Sequence, residues 1–183
     1  KKRGIKIIFR NRLILGSLEE KKIIICSLLL AGFLLVLDQI TKILTVLYIP
    51  EHKLISVIPR FFNLTYLNNP GAAWGMFAGQ GKLLLAISAV VFIAVIYFLR
   101  SLTEGWPERY FAMFMVLSGI AGNSIDRVWK GQVVDFLDFY IMDYHWPSFN
   151  VADSAITVGV TIFIISSLFR PQEKKKAEFV MHG

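Results

Sequence analysis

The stretch IIICSLLLAGFLLVL, residues 23–37, runs for fifteen positions without a charged side chain. Asp38-Gln39-Ile40-Thr41-Lys42 follows, and apolar residues then resume to Tyr48. At ~1.5 Å rise per residue, a helix over 23–47 outreaches a hydrocarbon core ~30 Å thick. No small-residue cleavage site follows the run, so it reads as a transmembrane helix with a polar patch near its far end, not as a cleaved leader. Cys26 within it is the chain's single cysteine, which excludes internal disulfides and cysteine-based metal sites. Its apolar setting predicts a buried thiol, and the isoleucines before it argue against a lipid-modified cysteine.

Composition extends this reading to the whole chain. Of 183 residues 55% are hydrophobic and 18% charged, with mean hydropathy +0.57, too apolar for a soluble domain of this length. One membrane domain is expected over 1–183. Its spans are 23–47, 83–99, 110–126 and 152–169, with outer loops 49–81 and 128–151 and basic tails 1–22 and 170–183. Arg100 to Arg109 reads as a brief charged turn. The net charge of +7 sits in the tails, because residues 23–169 hold eight Lys/Arg against nine Asp/Glu. Tails beside apolar spans set topology and touch lipid headgroups, so nucleic acid is not an expected partner. With the N-terminus inside, inner segments carry fourteen Lys/Arg and outer loops five, Lys53, Arg60, Lys82, Arg127 and Lys130. Both termini are therefore expected in the cytoplasm.

The outer loops have structure of their own. FFNLTYL (61–67) reads as a strand, with Phe62, Leu64 and Tyr66 or Leu67 available to an apolar face. Asn68-Asn69-Pro70-Gly71 is a turn signal, and Trp74, Met76 and Phe77 suit an element lying in the membrane interface. Asn63-Leu64-Thr65 matches a glycosylation sequon, too short a match to carry meaning.

Depth turns the scattered polar residues into a site. Asp38 lies about 22 Å along its helix from Ile23, Asp126 about 24 Å from Tyr110, and Asp153 about 24 Å from Phe169 on a helix running the other way. All three carboxylates fall at one level, just below the outer surface. Asp38, Thr41 and Lys42 share a helix face, as do Gly119, Asn123, Asp126 and Arg127, where glycine permits close helix approach. Asp38 beside Lys42, and Asp126 beside Arg127, each have a base within reach, which favours ion pairs that hold a bundle together.

VDFLDFYIMDYHWPSFNVADSAI, residues 134–156, holds four of the chain's six aspartates. Asp153 opens an apolar helix without a basic neighbour, which fits either an N-cap or a catalytic acid. Asp135, Asp138 and Asp143 are the candidates for its partner. Two close carboxyls share one proton, so that one activates water while the other donates to the tetrahedral oxygen or the leaving amine. The chain has no HExxH, GxSxG, P-loop or GxGxxG. His52, His145 and His182 lack metal-ligand spacing, and His145 reads as a hydrogen-bonding residue at the interface.

At this point five motifs align. Asp38-Gln39-Ile40-Thr41-Lys42, Asn69-Pro70-Gly71-Ala72-Ala73-Trp74, Gly119 through Arg127, Val133-Val134-Asp135-Phe136 and Phe149-Asn150-Val151-Ala152-Asp153 stand in the order found in bacterial lipoprotein signal peptidases, and the chain resembles that family, signal peptidase II, from residue 23 to 169. The resemblance implies an all-α four-helix aspartic peptidase of the bacterial inner membrane, with an extracytoplasmic β-like cradle and a mobile interfacial helix within 55–81. It implies cleavage of diacylglyceryl-modified prolipoproteins N-terminal to the lipidated cysteine, with Asp135 and Asp153 as the catalytic pair. Asp38, Lys42, Asn69, Gly71, Asn123, Asp126, Arg127, Asn150 and Ala152 become supporting residues. No metal or organic cofactor is expected, and membrane lipid and prolipoprotein are the partners of a monomer. Trp74 stands where phenylalanine is common in the family, and the arm 1–22 is longer than its pattern. A proton- or ion-coupled transporter is the alternative, and a purely structural membrane subunit the third reading.

Overall fold

The computed structural model describes residues 3–72 and 76–170. In chain order the elements are α1 (Arg3–Tyr48), β1 (Leu54–Ile58), β2 (Phe62–Asn69), α2 (Gly81–Tyr97), α3 (Leu99–Thr103), α4 (Pro107–Lys130), β3 (Val133–Ile141), β4 (Tyr144–His145) and α5 (Val151–Phe169). Helix α1 thus continues back through the basic arm. Residues 100–109 are not a simple turn. α3 fills the first part and ends at Glu104 and Gly105 in left-handed backbone (φ 48° and 78°), and Pro107 then opens α4, where a missing N–H costs nothing. Arg109 is consequently a helix residue, buried against α5 with its Nε donating to Ser166 Oγ at 3.0 Å and its guanidinium paired with Glu104. At the other end α4 runs to Lys130 and stops on Gly131, φ 74°, whose N–H returns to the Arg127 carbonyl.

α4 is the central helix, packed against α1, α2 and α5. Gly119 and Gly159 set the closeness of its contact with α5. A Cβ on Gly119 would land against the Ala152 carbonyl oxygen, and one on Gly159 would meet the Ala112 carbonyl oxygen at 2.6 Å. Small residues at a helix crossing let backbones approach and interhelical polar groups meet. The outward faces are apolar: Leu29, Phe33, Val90, Ile93 and Leu168 are all exposed, and α2 has no buried residue. Much of the interior is polar instead, with Asp38, Lys42, Asn123, Asp126 and Asn150 all buried. That inversion, and two helices long and apolar enough to cross a membrane (Leu18–Tyr48 and Val151–Phe169), fit a membrane protein. The shorter α2, 17 residues, carries no charge after Lys82. Cys26 differs from expectation, since its thiol is exposed. Ser27 takes the buried position, and one residue's rotation about the helix turns Cys26 to the outer face.

The strands form one antiparallel sheet in the order β1-β2-β3-β4. β2 lies where a strand was expected, but its buried face is the polar one. Asn63 and Thr65 are buried while Phe62 and Leu64 are half-buried, because Asn63 donates to Asp138 at 2.8 Å and Thr65 to the Lys53 carbonyl at 3.0 Å. Beyond β2, residues 76–79 form turns, with Phe77 and Gly79 in left-handed backbone. The described residues between 70 and 80 form no helix where an interfacial one was expected, and residues 73–75 lie outside the described residues. Trp74 and the lysines 174–176 lie outside the described residues.

Candidate active site

Asp153 is not the N-cap of α5. Asn150 holds that position, accepting from the Asp153 N–H through Oδ1 at 2.9 Å, while Asp153 Oδ2 accepts from the Asn150 N–H at 3.3 Å. This reciprocal capping box leaves Asp153 as the third helical residue, near the positive end of the helix dipole. The same helix start is held from α1, where Asp38 Oδ1 accepts from the Ala152 N–H at 2.9 Å.

Asp135 reaches this helix start through the sheet. On β3 it stands opposite Leu67 of β2, with Asn69 and Val133 paired two residues along. Diagonal neighbours on one face lie within side-chain reach, and Asn69 Nδ2 donates to Asp135 Oδ2 at 2.8 Å. The chain then turns through β4, and Phe149 pairs antiparallel with Leu137, exchanging hydrogen bonds of 2.8 and 3.1 Å. That pairing returns residue 150 to the side of residue 135. Asn150 Nδ2 donates to Asp135 Oδ1 at 2.7 Å, so one side chain joins Asp135 to the capping box of Asp153.

Beneath the two acids lies a buried cluster. Lys42 Nζ is 2.9 Å from Asp38 Oδ2, 2.9 Å from Asp126 Oδ2 and 3.0 Å from Asn123 Oδ1. Asn123 Nδ2 in turn donates to Asp153 Oδ1 at 2.7 Å. Asp126 therefore pairs with Lys42, and at 3.6 Å with Lys130, rather than with its neighbour Arg127. Successive helix residues point about 100° apart, and Arg127 turns instead to the Gly71 carbonyl oxygen, 3.1 Å away. The Gly71 N–H donates to Asn69 Oδ1 at 2.9 Å. Every supporting residue expected from the sequence is in this assembly. One that was missed is Gln39, whose Nε2 joins Asp38 Oδ2 at 3.0 Å to the Gly122 carbonyl at 3.3 Å. A carboxamide beside Asp38 in an apolar span was the available signal.

Asp135 and Asp153 both line a cavity of about 650 Å³, with Asn69, Asn123 and Arg127 among its polar walls and Phe149, Ile156 and Val158 among its apolar ones. Burial, with the Asp153 charge second, pushes the Asp135 carboxyl up to about 7, against the opposing pull of the Asn69 and Asn150 amides. A carboxyl so placed exchanges its proton near neutrality, as general acid–base chemistry requires. Among the described residues no three His, Cys, Asp or Glu side chains are grouped as a metal would need. The rival acids lie elsewhere. Asp138 is buried against Asn63 and His145 Nδ1, each at 2.8 Å, and Asp143 sits in the turn between β3 and β4. His145 also stacks on Tyr140, and the sequon residue Asn63 is buried.

The chain is similar to known proteins over most of its length. The profile of the family described as "Signal peptidase (SPase) II" matches residues 30–169. A lipoprotein signal peptidase of Syntrophus aciditrophicus (strain SB) is 40% identical over 159 residues, covering 84% of this chain and 99% of that protein. One from Staphylococcus aureus (strain bovine RF122 / ET3-1) is 37% identical over 161 residues, covering 88% and 99%. A solved structure described as a bacterial membrane enzyme superposes with a TM-score of 0.76 at 37% identity, covering 84% of this chain and 93% of the other.

Proposed function

The chain belongs to the signal peptidase II family, and on that premise we propose that Asp135 and Asp153 are its catalytic pair, cleaving diacylglyceryl-modified prolipoproteins N-terminal to the lipidated cysteine. The chain is a peptidase, and its substrates are prolipoproteins. The transporter alternative finds no support in these relatives. The observation that carries the assignment of the pair is the Asn150 side chain, which donates to Asp135 and accepts from the backbone of Asp153. Two acids tethered through one residue and facing one cavity can share a proton and titrate as a unit. One activates water for attack on the scissile carbonyl, and the other supplies the proton that the leaving amine needs.

In this reading α1, α2, α4 and α5 each cross the bacterial inner membrane, with both termini cytoplasmic. The helix ends that carry the site then lie at the outer surface and the sheet lies above them. The apolar outer faces meet lipid, and the monomer receives its substrate laterally. The apolar lower walls of the cavity, Ile156 and Val158, suit a substrate that arrives with its own membrane helix. Arg127, Asn69 and Gly71 form the polar rim.

Cleavage of a defined diacylated precursor by the purified protein, compared with the same precursor unacylated, tests the reading. Cleavage of the diacylated form alone, with the lipidated cysteine as the new N-terminus, is expected. Failure to cleave it, or a cut elsewhere, would overturn the reading. The pH profile should show an alkaline limb. A shared proton must stay on the pair, so kcat should fall as pH rises through about 7, the value to which Asp135 is pushed. Asp138 serves as the contrasting acid. Asp138→Asn should keep cleavage within about threefold of the parent, while thermal unfolding registers a loss of about 1–3 kcal/mol from its disturbed bonds to Asn63 and His145.

A further inference from the structure

We propose that Lys42 is a positioning residue for Asp153: by fixing which end of the Asn123 carboxamide faces that acid, it keeps a hydrogen-bond donor on Asp153. The inference rests on the reading of Asp135 and Asp153 as the catalytic pair.

The two ends of a carboxamide are nearly the same size, so its orientation is decided by its partners. At Asn123 the partners leave no choice. An ammonium can only donate, and Lys42 Nζ lies 3.0 Å from Oδ1. Asn150 Nδ2 donates to the same oxygen at 3.3 Å. The NH2 end must then point the other way, where Asp153 Oδ1 accepts it at 2.7 Å. A flipped amide would set NH2 against ammonium and oxygen against carboxylate, unfavourable on both sides.

Lys42 cannot relax out of this role, because it is 1% exposed and held between Asp38 and Asp126 at 2.9 Å each. Two carboxylates around one ammonium largely cancel its charge, so its effect on the pair is chiefly the orientation it imposes. The charged and titratable groups facing the pair are Asp38 and Lys42 from α1, Asp126 and Arg127 from α4 with Lys130 behind them, and the two acids themselves. Asp135 takes no hydrogen bond from Asn123, and of this arrangement only the Lys42 charge reaches it. Its donors are Asn69, whose oxygen is pinned by the Gly71 N–H at 2.9 Å, and Asn150, whose oxygen is pinned by the Asp153 N–H at 2.9 Å. Losing the Asn123 donor should therefore destabilise the charged form of Asp153 alone.

The test is the pH profile of kcat on a diacylated precursor. Asn123→Leu removes the donor and leaves Lys42 paired with both aspartates. Lys42→Met made together with Asp126→Asn removes the pin at unchanged net charge, Asp38 keeping its Gln39 and Ala152 donors, and Asp126→Asn alone is its reference. In each case the acid limb should move up by about one pH unit with KM changed less than about threefold, and in Asn123→Leu, which keeps the Lys42 charge, the alkaline limb stays. Combining Asn123→Leu with the Lys42 and Asp126 changes should give no larger shift than Asn123→Leu alone, since both act through one amide. An unmoved acid limb in Asn123→Leu, a shift of the alkaline limb instead, or additive shifts in the combined variant would overturn the proposal. An unmoved acid limb in Asn123→Leu overturns the proposal whether or not the Lys42 variant folds. Turnover retained by Asp135→Asn is a different failure, that of the catalytic pair itself.

Discussion

Asp135→Asn and Asp153→Asn are each expected to lower cleavage of a diacylated precursor by at least about 1,000-fold while leaving a folded protein. An amide keeps the shape of the acid but cannot exchange a proton, and neither acid has a substitute within the cavity. Asn69 and Asn150 both donate to Asp135, and an asparagine there could still accept one of those bonds. Stability should move in a direction that marks the cause. The folded-state value of Asp135 is raised from 3.8 to about 7, so its contribution to stability is full below the unfolded value and is lost as pH rises through about 7. The neutral amide that replaces it loses nothing over that window. At pH 8 the Asp135→Asn protein should therefore unfold at the same temperature as the parent or higher, although it is inactive. Turnover within tenfold of the parent in both variants would remove the pair from the mechanism.

Gly119→Ala should have the largest effect of any single added methyl. Its Cβ would lie against the Ala152 carbonyl oxygen and within 2.6 Å of Ile156 Cγ1, so α5 has to move away from α4. Overpacking of this kind costs about 3 kcal/mol, or roughly 6–12 °C in the thermal midpoint of a chain this size. The displaced backbone directly precedes Asp153, and a shift of about 1 Å at a reacting group costs on the order of 100-fold in rate. Stability and kcat should therefore fall together. Gly32→Ala is the control, because a Cβ there meets nothing within 4 Å and removes only the flexibility of a helix glycine. Equal melting temperatures for the two variants would mean that α4 and α5 are not packed as described.

Much of the site was legible from helix periodicity and depth. Asp38, Asp126 and Asp153 were placed at one level by counting residues, and in the structure Asp38 and Asp126 share Lys42 while Asp153 is reached through Asn123. Neighbours in sequence were a poor guide to partners. Arg127 was the obvious base for Asp126, yet adjacent residues on a helix diverge, and the base came from another helix, α1, far earlier in the chain. Periodicity also could not decide which face of β2 is buried. An apolar interior was assumed, whereas the sheet hides Asn63 and Thr65 and leaves Phe62 and Leu64 half-buried. Spacing left Asp135, Asp138 and Asp143 open, because what brings Asp135 beside Asn150 is the turn through β4 and the pairing of Phe149 with Leu137, a long-range register that no local pattern in residues 134–156 encodes.

The bond from the Ala152 N–H to Asp38 spans 114 residues, which fixes when the molecule becomes competent during its synthesis. α1 emerges first carrying Asp38 and Lys42, which can neutralise one another as an i,i+4 pair. Asp126 joins them with α4, but Asp153 and its cap Asn150 arrive only with the last helix. A ribosome that has finished α4 but not α5 has therefore made helices with buried charges already paired and no hydrolytic machinery. Activity arrives in a single step with α5, and a chain ending before residue 150 should be inert rather than partly active.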